Sequence, residues 1–127
     1  MIHIDIGGEG KYPAAINLNP SPTTTIGIGA PVGIPIPNHV AGIGESMPFA
    51  DDFAEIITVE STPIYPATAR EIARVIKPGG RIRLFHPTDS STPYGHLAHQ
   101  DVIQAVGGKS YTYNSADGTT TTLIIAP

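Results

Sequence analysis

"REIARVIKPGGRIRLFHP", Arg70–Pro87, decides the fold. Together with the preceding Ala69, the apolar residues Ile72, Ala73 and Ile76 recur at helical spacing, while Arg70 and Arg74 fall on the other side. Pro66 suits a first helical position, and Thr68 with Glu71 has the spacing of a capping box, so a helix is expected over Pro66–Ile76. Pro78 and the Gly79-Gly80 pair stop it and turn the chain. "RIRLFH", Arg81–His86, then reads as a strand. A helix feeding straight into an apolar strand is the unit from which parallel sheets are built.

The flanking sequence extends that pattern. "IHIDI", Ile2–Ile6, alternates apolar and polar residues as a strand does, and "GGEG", Gly7–Gly10, ends it in a turn. Further strands are expected at "AAINLN", Ala14–Asn19, at "HVAGIG", His39–Gly44, and at "AEIITVE", Ala54–Glu60, where Ile56 and Ile57 suit burial on both faces. "HLAHQDVIQAV", His96–Val106, reads as a second helix ended by Gly107-Gly108. "KSYTYN" and "TTTTLIIA" read as a closing hairpin around Asp117-Gly118. The expected architecture is a single domain, 1–127, with an α/β Rossmann-like open sheet, mostly parallel, and an antiparallel C-terminal strand pair. "GGEGKYPA" is too short for a crossover helix, which needs a dozen or more residues. The first crossover helix is therefore expected to be missing, with one sheet face uncovered near the first strand. An uncovered apolar face finds a partner, so a homodimer or larger assembly is expected.

Composition narrows the function classes. An apolar fraction of 40% over 127 residues supports a real core. A net charge of −4 with only 7 Lys and Arg offers no phosphate-neutralising footprint, which argues against nucleic acid. The absence of cysteine excludes disulfides, thiolate chemistry and cysteine-ligated zinc. No apolar run is long enough to span a bilayer, and Met1 leads straight into a strand pattern, so neither a membrane helix nor a signal peptide is expected. A soluble, cytoplasmic protein is the expectation. "APVGIPIPN", Ala30–Asn38, cannot be an ordinary helix and reads as an extended loop or edge strand.

"REIARVIKPGGRIRLF" resembles the segment of class I S-adenosylmethionine-dependent methyltransferases in which a helix ends at Leu-Lys-Pro-Gly-Gly before the fifth strand. "ESMPFADDFAEIITVES", Glu45–Ser61, is similar to the same family's segment before and through strand four, with Pro48, Phe49 and Asp51 matching. "IDIGGEG", Ile4–Gly10, resembles the first cofactor motif, and "AINLNP" resembles the second strand with its turn. The resemblance implies S-adenosylmethionine as cofactor and a small molecule as methyl acceptor. It places the cofactor at the strand ends, on Asp5, Gly7, Gly8, Gly10, Asn17, Gly44, Glu45 and Glu60. The Lys-Pro-Gly-Gly turn itself carries no chemistry.

Three departures stand out against that family. Without a gap, Glu9 and Lys11 occupy the places of the second and third motif glycines, where a side chain obstructs backbone approach. Asn17 stands where an acid accepts from both ribose hydroxyls, and a neutral amide oxygen grips less strongly. Ile43 stands where an acid accepts from the adenine amino group, with Glu45 close by.

Catalytic candidates are few. His86 reads as a general base or as a polar residue at a strand edge, the commoner situation for a single histidine. Tyr94, in the loop "SSTPYGH", reads as a pocket-lining or packing residue. His96, His99 and Asp101 lack the spacing of a helical metal site and read as a solvated helix start, and no metal is expected. Asp51 and Asp52 read as turn residues, and Tyr111 with Tyr113 as packing or interface residues. Three functions compete: a minimal methyltransferase; a non-catalytic methyltransferase-fold module for binding or assembly; and a compact effector or toxin-like domain with its site in Thr23–Asn38. Cofactor binding separates the first two. A reading frame extending upstream of Met1 would favour the third.

Overall fold

The computed structural model describes residues 1–25 and 32–127. Seven strands form one sheet: β1 (His3–Ile6), β2 (Ile16–Leu18), β3 (His39–Val40), β4 (Ala54–Glu60), β5 (Ile76–Pro87), β6 (Lys109–Asn114) and β7 (Thr119–Ile125). Their order is β3-β2-β1-β4-β5-β7-β6. β1 to β5 pair in parallel, whereas β7 is antiparallel to both β5 and β6. This is the expected mostly parallel Rossmann-like sheet with an antiparallel C-terminal pair. The strand order switches direction between β1 and β4, where open α/β sheets present their ligand crevice.

The two helices, α1 (Pro66–Val75) and α2 (His99–Val106), pack on one sheet face; a single 3-10 turn, His96–Ala98, leads into α2. Alternation along the strands sends Ile4, Ile6, Ile57, Val59, Ile82, Leu84 and Ile124 to that face, where they meet Ala69, Ile72, Val75 and Val102 in one buried cluster. The opposite face carries His3, Asp5, Asn17, Thr58, Glu60, Arg81, Arg83, Leu123 and Ile125 by the same alternation. Residues 7–15 between β1 and β2 hold turns and no helix. Lys11 and Tyr12 fold over the β1–β4 end instead: Tyr12 lies 5.3 Å from the His3 ring and bonds Glu60 at 3.2 Å. Farther across, the face is open, and Tyr111, Leu123 and Ile125 are exposed.

Several local expectations need correction. The first helix ends at Val75, and Ile76 already pairs with Ala54 as the start of β5. Lys77–Gly80 is thus a bulge inside a longer strand rather than a turn before it, because the register resumes at Ile56 opposite Arg81. The bulge is tied across the sheet: the Gly79 amide donates to the Ala126 carbonyl (3.1 Å), and the Gly80 carbonyl accepts from the Ala126 amide (2.9 Å). The helix start is closed one turn earlier than the Thr68–Glu71 spacing suggests, by the Tyr65 amide donating to the Thr68 hydroxyl (3.2 Å). Glu71 instead accepts from the Met47 amide (2.7 Å) and from Arg74 (2.7 Å). Arg74, expected on the solvent side, also reaches the Phe49 carbonyl and Asp51 (2.8 Å each), clamping 47–51 to α1.

The third strand is only two residues long. Its partner β2 offers three, and the chain leaves the sheet at Gly42, whose φ of +158 carries it into a tight turn bridged by Ile43 and Ser46. The proline-rich segment doubles back on itself, with the Thr24 amide donating to the Ile34 carbonyl (2.8 Å) and the Ile36 amide to the Pro22 carbonyl (3.0 Å). Residues 26–31 lie outside the described residues, as does that part of the effector-like site considered at Thr23–Asn38.

Candidate functional site

The glycine turn lies at the carboxyl end of β1, beside the switch in strand order. Gly7 has φ +73, and its amide donates to the Leu18 carbonyl (2.7 Å). A Cβ at Gly7 would run into the Thr62 side chain, whose own Cβ would stand at 3.0 Å. A Cβ at Gly8 would lie 2.7 Å from the Asp5 carboxyl and closer still to Asn17 Oδ1. Gly10, at φ +107, leaves 3.0 Å to the Pro37 ring. Three of the glycines read from the sequence therefore occupy places where the backbone approaches a neighbour too closely for a side chain.

Asp5 and Asn17 face each other across β1 and β2. Asn17 is fully buried; its Nδ2 donates to the Pro37 carbonyl (2.7 Å), while its Oδ1 has no hydrogen-bond partner. Asp5 is 4% exposed. Burial, with the Glu60 charge adding to it against a smaller opposing effect of Lys11, pushes the Asp5 carboxyl up to about 7. Two acceptors thus crowd one point beside Gly8, and a proton on Asp5 converts one of them into a donor. An acid at position 17, as in the family motif, would put a second carboxylate here, which gives Asn17 a physical reason.

Neighbouring residues hold this turn in place. The Asn19 amide donates to the Gly8 carbonyl (3.2 Å), and Asn19 Oδ1 accepts from the Ser21 amide (2.9 Å). Glu9 accepts from the Thr25 amide (3.1 Å) and hydroxyl (2.9 Å), so this intruder in the glycine motif pins the proline-rich segment. Glu60 is engaged by Lys11 (2.5 Å) as well as Tyr12.

Gly44 and Glu45 gather elsewhere, at the start of α1. A Cβ at Gly44 would lie 3.0 Å from Thr68 Cγ2 and 3.1 Å from Ile6 Cγ2, so this glycine lets α1 approach β1. Glu45 accepts from the Thr68 hydroxyl at 3.3 Å. Tyr94 is exposed beside Tyr65, and its hydroxyl, followed by burial and the Glu45 charge, raises the Tyr65 phenol above its ordinary value. Ile43 is exposed and presents no acceptor side chain.

The histidines depart most from expectation. His86 is fully buried, not a strand-edge residue, and His99 is 2% exposed, not part of a solvated helix start. His86 Nε2 lies 2.7 Å from the Thr62 carbonyl, and His86 Nδ1 lies 2.8 Å from His99 Nε2. His99 Nδ1 in turn lies 2.7 Å from Thr122 Oγ1. Burial lowers His86 below the usual imidazole value; burial, then the His86 and His96 rings, push His99 down to about 3. With both ring nitrogens committed, His86 is not a general base facing a cleft. The signal was in the sequence: His86 is in phase with inward Ile82 and Leu84, and His99 with Val102 on α2. Thr62, by contrast, belongs to no motif, and Asn19, inside the quoted "AINLNP", carries no role that its spacing announces. Among the described residues, no group of three or more His, Cys, Asp or Glu gathers to hold a metal ion. No helix there is long and apolar enough to cross a membrane.

No protein-family model matches the chain. No curated protein matches it by sequence either. Solved structures do match in fold. A chain from the Haloferax volcanii complex containing the Trm112 methyltransferase activator superposes with a TM-score of 0.68 at 16% identity, covering 99% of this chain and 82% of that one. An S-adenosylmethionine-dependent methyltransferase from Thermotoga maritima gives 0.64 at 10% identity, covering 99% and 82%. The T. thermophilus 16S rRNA methyltransferase in complex with AdoMet and guanosine gives 0.65 at 11% identity, covering 98% of this chain and 34% of that one. At these identities the likeness concerns architecture, and the strand order agrees with it: the chain has a class I methyltransferase-like fold.

Proposed function

We propose that this chain binds S-adenosylmethionine at the β1–β2 strand ends and transfers its methyl group to a small molecule. The observation that carries this reading is the unpartnered Asn17 Oδ1, set beside the close-approach glycine Gly8 in a methyltransferase-like sheet. A buried acceptor without a partner costs roughly 1–3 kcal/mol, a cost that a ligand hydroxyl would offset. Asn17 would accept from the cofactor ribose and Asn19 would hold the turn, while the space over Gly7, Gly8 and Gly10 is taken by Thr62, by Asp5 with Asn17, and by Pro37. For Asn17 to be reached, Gly8 and Pro37 have to yield. Once bound, the cofactor supplies an electrophilic methyl group, so the protein's share is to hold donor and acceptor in line and exclude water. Tyr94 and Tyr65 would bound the acceptor side. Titration calorimetry with S-adenosylmethionine and S-adenosylhomocysteine tests this. Micromolar affinity is expected, and no heat at millimolar ligand from folded protein overturns the reading.

A second reading, an assembly module that has given up catalysis, is favoured by the β6 edge. All six of its residues are exposed, it contains no proline, and as the edge strand it has no strand partner on its outer side among the described residues. The occupant that fits is a second copy, pairing β6 to β6 about a two-fold axis. Stacking two open faces would instead oppose Arg81 and Arg83 of each copy, which have no ion-pair partner among the described residues. Sedimentation should give a dimer that the double substitution Tyr111→Lys, Tyr113→Lys converts to monomer. A wild-type monomer at high micromolar concentration would rule the pairing out.

A further inference from the structure

The buried histidine pair sits where neither the glycine turn nor the tyrosines would use it, yet it is wired to the turn. The wiring has a definite direction. The Thr62 carbonyl can only accept, so His86 Nε2 carries a hydrogen. In a neutral ring His86 Nδ1 is then the acceptor, and His99 Nε2 must donate to it. His99 Nδ1 is left as acceptor for the Thr122 hydroxyl, and Thr122 Oγ1 accepts in turn from Thr112 Oγ1 at 2.9 Å. Every donor and acceptor in the run is used once, which fixes both rings as Nε2–H tautomers. At the far end, the Thr62 hydroxyl donates to the Ile6 carbonyl (3.2 Å) and presses against Gly7.

We infer that His86 is a positioning residue for the cofactor turn: through the Thr62 carbonyl it holds the loop after β4 against Gly7, and His99, donating to His86 Nδ1, holds the ring in the orientation that lets it do so. The inference rests on the reading that the Gly7–Gly10 turn takes the cofactor. It extends that reading by tying the turn to α2 and to the β7–β6 pair on the far side of the sheet. Loss of the His86 donor is the failure mode. Without an N–H at the His86 Nε2 position the Thr62 carbonyl loses its side-chain donor, and the loop after β4 is free to lift from Gly7.

His86→Leu removes the donor to the Thr62 carbonyl, and His86→Gln restores an N–H near the Nε2 position. Long-range proton–nitrogen NMR on the wild type should show both rings as Nε2–H at neutral pH; an Nδ1–H or doubly protonated His86 overturns the inference. In His86→Leu the Gly7 amide should exchange with solvent roughly tenfold faster, the change expected for loss of one buried hydrogen bond, and Gln should restore it. S-adenosylhomocysteine affinity should fall by a similar factor and recover likewise. Unchanged Gly7 exchange in folded His86→Leu overturns the positioning role. Altered exchange in a protein that never binds S-adenosylhomocysteine leaves the latch standing and sinks the cofactor reading instead.

Discussion

Gly8→Ala is expected to destabilise the protein by about 3 kcal/mol or more, from overpacking together with disruption of a buried hydrogen bond. Gly8 does not have a positive φ, so the substitution tests space rather than backbone strain. The added methyl would meet Asp5 Cγ and Oδ2 at 2.7 Å, and Asn17 Oδ1 more closely still. Neither neighbour can swing clear. Both are short side chains on paired strands, and Asn17 is tethered to the Pro37 carbonyl. Relief requires the 8–13 turn to lift, which would break the bond from the Asn19 side-chain amide to the Gly8 carbonyl. Gly79→Ala is the control: φ is +75 there but nothing lies within 4 Å, so only the left-handed backbone penalty of about 1–2 kcal/mol applies. Urea unfolding followed by far-ultraviolet circular dichroism measures both. A Gly8→Ala loss no larger than that of Gly79→Ala would mean that the turn does not seat over Asn17.

Much of the fold was legible because its signals are local. The α1 stripe of Ala69, Ile72 and Ala73, the alternation of Ile2–Ile6 and the hairpin at Asp117-Gly118 each follow from spacing over fewer than a dozen residues. The short link from Gly10 to Ala14 likewise showed that no helix could form there. The Lys77–Gly80 bulge was not legible. A Gly-Gly pair reads as a chain reversal, and only pairing with Ala126, far along the sequence, keeps those residues in the sheet. The same limit applied to Arg74, whose partners lie in 47–51. At the candidate site, glycines could be read from motif spacing, because backbone approach is encoded in residue type. What Asn17 and Glu60 do could not. Asn17 is sealed by Pro37 and Glu60 is taken up by Lys11, and both contacts depend on how loops without a motif fold back.

Asp5→Asn is expected to stabilise the protein at pH 8, leave it almost unchanged at pH 4, and so reverse the ordinary expectation for an acid in a cofactor motif. In the folded protein the Asp5 carboxyl titrates at about 7, against 3.8 for the free group. Between those values the native state holds a proton that the unfolded chain has released, so stability falls as pH rises through the window and levels off above it. A shift of this size corresponds to about 2–4 kcal/mol at full extent, allowing for partial access of water. The asparagine carries no charge to bury, and its amide hydrogens offer the missing donor to Asn17 Oδ1. The histidines tilt the other way. His99 is lowered from 6.5 to about 3, so below 6.5 the unfolded chain takes up a proton that the native state refuses, and stability drops on acidification. In the wild type the Asp5 slope opposes the combined slopes of His99, His86 and His3 between pH 4 and 6.5 and offsets part of them. Removing Asp5 should expose the histidine slope alone, with stability climbing from acid to about pH 6.5 and then flat. Chemical denaturation at intervals from pH 4 to 8 decides it. A constant difference between variant and wild type would show that Asp5 is ionised throughout, with its charge balanced by Lys11 rather than excluded by burial.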